Sequence, residues 1–134
     1  MTTSGAPTVT LDHAGLYVAD LERSRDFFRT YFGATSNDGY HNPRTGLRTY
    51  FLSFDGRARL EIMTRPGVDR TADEGLLGWA HIAFRLGSRV AVDETTSRLL
   101  ADGYEVVDGP RLTGDGYYEA VVLDHEGNRI ELVA

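Results

Sequence analysis

The sequence predicts an α+β fold of two tandem βαβββ modules whose strands form a curved, half-barrel-like mixed sheet. Three observations carry that expectation. The segment Leu11-Asp-His-Ala-Gly-Leu-Tyr-Val18 returns as Trp79-Ala-His-Ile-Ala-Phe-Arg-Leu86 at an offset of 68 residues. Self-similarity at such a distance marks a duplicated unit. Arg59-Leu-Glu-Ile-Met63 returns as Arg129-Ile-Glu-Leu-Val133 at an offset of 70. Between these landmarks each copy carries helix punctuation: an N-cap candidate after the His, Asp20 or Ser88, and a terminating glycine, Gly33 or Gly103. The change of offset places two extra residues inside the second helix.

In the first module, about 8–64, alternation predicts a strand over Thr10–Val18 and a helix over Leu21–Phe32. Phe27, Phe28, Tyr31 and Phe32 share one face of that helix by their spacing. The polar stretch after Gly33, Ser36 to Gly46, has room for a short strand at most. Thr49–Phe54 and Ala58–Met63 form a hairpin around Asp55-Gly56. The second module, about 79–134, repeats the plan: Trp79–Leu86, a helix over Arg89–Asp102, then Tyr104–Val107, Tyr117–Leu123 and Arg129–Val133. His125-Glu-Gly-Asn128 closes the second hairpin. Residues 65–78, with Pro66, Gly67, Gly75 and Gly78, read as the linker. Residues 1–7 read as a disordered tail, and 8–134 as one domain.

Composition narrows the function classes. A chain of 134 residues accommodates one domain with a real core. The net charge of −6 argues against nucleic acid and against an anionic membrane surface. No apolar run approaches the ~18 residues of a membrane span. No secretory signal is visible over Met1–Thr10, so the expected location is cytoplasmic. The chain has no Cys, which excludes thiolate ligands, a thiol nucleophile and a disulfide framework. All 14 basic residues are Arg, so Schiff-base and P-loop lysines are excluded as well.

Strand parity then sorts side chains by face. Asp12, Ala14, Leu16 and Val18 share one face by alternation, as Ala80, Ile82, Phe84 and Leu86 do; these mainly small and aliphatic sets suit a helix-packing face, and so do Leu60, Ile62, Ile130 and Leu132. His13, Glu61, His81 and Glu131 therefore point to the opposite, concave face. Each module sends one His and one Glu there, at matching positions. Two imidazoles and two carboxylates suit one divalent transition ion: Ni²⁺, Co²⁺, Zn²⁺, Mn²⁺ or Fe²⁺. His41 and His125 fall in turns without a counterpart in the repeat. His125 reads as a solvated hairpin residue, and the role of His41 stays open.

The stretch His13-Ala-Gly-Leu-Tyr-Val-Ala-Asp-Leu-Glu-Arg-Ser-Arg-Asp-Phe-Phe28 with Tyr-Phe-Gly33, and the closing stretch Val121-Val-Leu-Asp-His-Glu-Gly-Asn-Arg-Ile-Glu-Leu-Val133, resemble the vicinal oxygen chelate proteins. That superfamily shares the glyoxalase/bleomycin resistance/dioxygenase-like fold and includes glyoxalase I. The resemblance covers roughly Thr10 to Ala134. It implies that the curved sheet wraps a metal cleft, that His13, Glu61, His81 and Glu131 match the nickel-type glyoxalase I ligand set, and that the protein is a homodimer. It further implies a metal-dependent, lactoylglutathione lyase-like isomerase acting on a 2-oxo or hemithioacetal-type substrate such as that formed from methylglyoxal. A chelated enediolate forms there, with a ligand glutamate as base: Glu131 by its match to the family's mobile ligand, Glu61 second. The family also hosts epimerases, extradiol dioxygenases, drug-modifying thiol transferases and metal-free antibiotic-binding resistance proteins.

Two positions depart from the glutathione-using pattern. Tyr17 stands where an Arg is expected and Arg65 where an Asn is expected, which leaves the thiol co-substrate open. Arg65 and Arg85 are candidates to hold an anionic small-molecule substrate. Tyr17, Phe51, Met63, Trp79 and Val121 are candidates for an apolar wall around it.

Overall fold

A computed structural model describes residues 5, 7–72 and 75–134. The tail expected over residues 1–7 lies, at 1–4 and 6, outside the described residues. The chain divides into two compact units, Met1–Asp69 and Arg70–Ala134.

In the first unit β1 (His13–Tyr17) leads into α1 (Leu21–Phe32), followed by β2 (Thr35–Ser36), β3 (Tyr40–His41), β4 (Arg48–Ser53) and β5 (Arg59–Thr64). The sheet runs in the order β1-β5-β4-β2, with β3 also on β4. β1 and β5 are parallel; the other pairs are antiparallel. The second unit repeats this with β6 (Ile82–Arg85), α2 (Arg89–Ala101), β7 (Val106–Leu112), β8 (Tyr118–Leu123) and β9 (Arg129–Val133), ordered β6-β9-β8-β7. β6 and β9 are parallel. Both units therefore show the mixed α+β plan of the sequence reading.

The helix boundaries follow from their caps. The Asp20 side chain accepts from the Arg23 amide, and Ser88 from the Ala91 amide. Each thereby satisfies one of the donors that a helix start leaves orphaned. Gly33 ends α1 in the left-handed region, at φ 64°. In the second unit Asp102 intervenes before Gly103, and α2 is one residue longer than α1. Those two positions absorb the change of offset.

Each helix covers one face of its sheet. In the first unit Phe27 and Phe28 of α1 join Val18, Leu52, Leu60 and Ile62 in the core. In the second, Val92 and Leu99 of α2 join Ala120, Val122, Ile130 and Leu132. Each fully buried aliphatic side chain contributes about 1.5–3 kcal/mol. A polar clasp also ties α1 to β4. The Tyr50 hydroxyl donates to Glu22 at 2.6 Å, and the Arg25 guanidinium lies 4.2 Å over the Tyr50 ring.

Four places differ from the sequence expectation: the polar stretch after Gly33, expected to hold a short strand at most, carries two, β2 and β3. β1 begins at His13 rather than Thr10, because its ladder partner β5 begins opposite it at Arg59. β6 begins at Ile82, so His81 sits one residue ahead of the strand. β7 runs on to Leu112, past the Val107 end expected, by shifting register between Val106 and Arg111. Gly109, at φ 77°, makes the shift possible: a Cβ there would stand 2.5 Å from the Glu119 carbonyl oxygen.

Candidate metal centre

Register builds the site from paired strands. Gly15 of β1 and Phe51 of β4 both lie opposite Glu61. In the second unit Ala83 of β6 and Val121 of β8 lie opposite Glu131. The two registers coincide under the sequence offsets, so the repeat extends to hydrogen-bonded pairing. On this face a glycine or an alanine flanks each glutamate. At Gly15 an added Cβ would stand 3.0 Å from the end of the Met63 side chain.

The four sequence-derived ligands come together as two pairs, each inside its own unit. His13 Nε2 lies 3.8 Å from Glu61 Oε1. His81 Nε2 lies 3.3 Å from Glu131 Oε1. Both glutamates are 20% exposed, and the histidines 38% and 42%, so each pair is anchored yet open to a ligand. Among the described residues no group of three or more His, Asp or Glu side chains forms a ready-made metal cluster.

The donor chemistry of the pairs fits a divalent ion. The Asp12 carboxylate, 2.7 Å from His13 Nδ1, only accepts, so Nδ1 carries the proton. In the neutral imidazole, Nε2 then turns a lone pair toward Glu61. At 3.8 Å that pair is too long for a hydrogen bond. It is short enough for both atoms to bind one ion at about 2.0–2.2 Å each.

The surroundings add groups that sequence reasoning did not single out. Parity placed Asp12 with the helix-facing set. Instead it is exposed, with its carboxylate on His13 and on Arg59 at 3.0 Å. The His13 bond, then Arg59, hold the Asp12 carboxyl below its ordinary range. Glu119 of β8 lies opposite Val133, on the Glu131 face. Burial, then the charge of Glu131, push its carboxyl up. A signal for Glu119 was available: it stands two residues before Val121, a candidate for the wall of the site, and so shares its strand face.

The substrate candidates scatter. Phe51 packs edge-on to His13 at 5.1 Å between ring centres. Met63 is half-buried opposite Tyr17, and Tyr17 is exposed. Val121 is buried. Arg65 lines an open cavity of about 360 Å³ with Val18, Ala19 and Thr64, past the end of β5. Arg85 Nη1 donates to the Ala134 carbonyl oxygen at 2.6 Å. Trp79 is fully exposed, one of a run with Leu76 and Leu77. His41 is exposed in β3. His125 corrects its reading as a solvated residue: its side chain is 4% exposed, with Nε2 3.5 Å from Glu126. It is drawn in because Asp124 folds the hairpin tightly, accepting from the Glu126 and Asn128 amides at 2.9 Å.

Comparison with known proteins agrees with this architecture. The family described as "Glyoxalase/Bleomycin resistance protein/Dioxygenase superfamily" matches residues 10–132. The uncharacterized protein YqjT of Bacillus subtilis (strain 168) is 30% identical over 132 residues, which is 92% of this chain and 98% of that protein. A glyoxylase/bleomycin resistance protein/dioxygenase domain from Frankia sp. EAN1pec superposes with a TM-score of 0.81 at 16% identity, covering 95% and 98% of the two chains. The trypanothione-dependent glyoxalase I of Leishmania major gives 0.75 at 23%, covering 94% and 86%. The fosfomycin resistance protein FosX of Listeria monocytogenes gives 0.68 at 25%, covering 93% and 90%. With the duplicated plan, the shared register and a family match over nearly the whole length, the chain belongs to the glyoxalase/bleomycin resistance protein/dioxygenase superfamily.

Proposed function

We propose that the protein is a metal-dependent, glyoxalase-like isomerase in which His13, Glu61, His81 and Glu131 hold one divalent ion, Ni²⁺, Co²⁺, Zn²⁺, Mn²⁺ or Fe²⁺. The observation that carries the reading is the repeated His–Glu pair, met at 3.8 Å and at 3.3 Å at equivalent registers. The substrate class is a small 2-oxo or hemithioacetal compound with two vicinal oxygens.

A divalent ion held by these residues would supply Lewis acidity at those oxygens, making the adjacent C–H easier to deprotonate. The protein supplies the proton transfer. The Glu131 carboxylate would take the proton from the hydroxyl-bearing carbon, the C–H pair forming a C=C bond while the carbonyl pair moves onto its oxygen; the same carboxyl would return the proton at the former carbonyl carbon, and the hydroxyl proton would pass to the former carbonyl oxygen, leaving the new C=O at the first carbon. Nothing is oxidised overall, and no further reagent is consumed. Phe51 and Met63, on the Glu61 face, limit water beside the reacting carbons. Whether a thiol joins the substrate turns on Tyr17 and Arg65, which replace the Arg and Asn of the glutathione-using pattern.

A second reading keeps the ion and changes the chemistry. The likeness to FosX, at 25% identity over nine-tenths of both chains, favours a drug-modifying enzyme. Loss of fosfomycin on incubation with the metal-loaded protein would select it.

The test of the first reading is solvent proton exchange, followed by NMR on a 2-hydroxy-ketone or a hemithioacetal in deuterated water. Wild type should exchange. Glu131→Gln should keep most of its metal and lose turnover by about 10²–10⁴-fold, and Glu61→Gln should lose less. Exchange lost in Glu61→Gln alone would reverse the two roles. No exchange in wild type would end the isomerase reading. Full metal occupancy in the double variant His13→Ala, His81→Ala would end the ligand assignment.

A further inference from the structure

We infer that Asp12 is a positioning residue for His13, and that Asp12, Arg59 and Phe51 form a clamp that presents His13 Nε2 to the ion. The inference rests on His13 being a ligand, as proposed above. Its observations are independent of that role. His13 Nδ1 lies 2.7 Å from Asp12 Oδ2. Arg59 Nη2 donates to the same Oδ2 at 3.0 Å. The Arg59 guanidinium lies 4.5 Å over the Phe51 ring. The Phe51 ring meets the His13 ring edge-on, at 79° between planes. Three side chains, drawn from β4, β5 and the lead-in to β1, close a ring of contacts with the imidazole as its fourth member.

Each contact removes one freedom. The carboxylate accepts from Nδ1–H and so selects the tautomer whose Nε2 is a lone pair. Arg59 ties the carboxylate, whose side chain is 72% exposed, to the oxygen that meets His13 Nδ1. Phe51 blocks rotation of the ring about its Cβ–Cγ bond, so Nε2 stays aimed at Glu61. A hydrogen-bonded partner on the far nitrogen also makes an imidazole ligand more basic.

Among the described residues the second unit shows no such device: Ala80 stands where Asp12 stands in the first, and His81 Nε2 lies 3.3 Å from Glu131 Oε1. The two histidines are thus chemically distinct although the repeat makes them equivalent: one is pre-oriented, the other is left to be oriented by what it binds.

The test uses the full chain. In metal-stripped wild type at mildly alkaline pH, the ring nitrogen shifts of His13 should report the Nδ1–H tautomer. Asp12→Ala should move His13 to the Nε2–H tautomer that an unconstrained histidine side chain prefers, with His81 unchanged as the internal control. Asp12→Asn still accepts a hydrogen bond and should keep the Nδ1–H form. In titrations with Ni²⁺ alone, Asp12→Ala should bind about 10–100-fold more weakly, and Asp12→Asn should lie between it and wild type. An unchanged His13 tautomer in Asp12→Ala, or unchanged Ni²⁺ affinity, overturns the clamp and leaves the ligand assignment standing. A wild type that binds no Ni²⁺ overturns the ligand assignment, while the tautomer shift alone would still establish the Asp12 contact.

Discussion

Glu119 and Asp12 are carboxyl groups that their surroundings push in opposite directions, Glu119 up and Asp12 down. Glu119 sits on the Glu131 face of β8, where burial and then the Glu131 charge raise its pKa above the ordinary 4.5. A raised carboxyl means the folded state holds protons that the unfolded state has released, so this group's contribution falls as pH rises through its folded pKa. In the metal-stripped protein, Glu119→Gln should therefore raise the melting temperature at neutral pH by a few degrees, with the gain vanishing below pH ~4. A melting temperature that drops at neutral pH would show that Glu119 is held by a favourable contact instead. Neither residue stood out in the sequence. Asp12 was assigned to the wrong face because alternation was read through residues 10–12, which precede the ladder and are free of its pleat.

At the scale of elements, β5 and β9 each carry both halves of the design. Glu61 and Glu131 face the site, while the neighbouring Ile62 and Ile130 are fully buried beneath the helices. Packing against α1 and α2 therefore sets how firmly the glutamates are held. Ile62→Ala and Ile130→Ala should each cost about 2–5 kcal/mol by chemical denaturation. A loss under about 1 kcal/mol would mean that the sheet–helix layer is loosely packed there. The helices and closing hairpins were legible beforehand because caps, glycines and period-two patterns are local signals. The continuation of β7 past Gly109-Pro110 was not, since a glycine and a proline punctuate the sequence there while the partner strand β8 supplies the hydrogen bonds.

At the scale of the molecule, each unit is an open sheet. β1 and β2 edge the first, β6 and β7 the second. Open edges invite pairing, and Leu76, Leu77 and Trp79 expose apolar surface. Light scattering at micromolar concentration should give a homodimer, as the family resemblance implies; a particle of one chain's mass would contradict it. Among the described residues no helix is long and apolar enough to cross a membrane.

By itself the sequence determined the duplicated βαβββ plan, the helix ends and the four ligand candidates. Those follow from periodicity and repetition, which survive in one dimension. Tertiary structure decided which atoms meet: that His13 faces Glu61 and His81 faces Glu131, that Asp12 and Arg59 fasten only the first imidazole, that Glu119 shares the Glu131 face, and that His125 is buried. These depend on strand register and on side chains from β4, β5 and β8 arriving at one place. Periodicity tells which face a residue occupies; the ladder alone tells what stands opposite it.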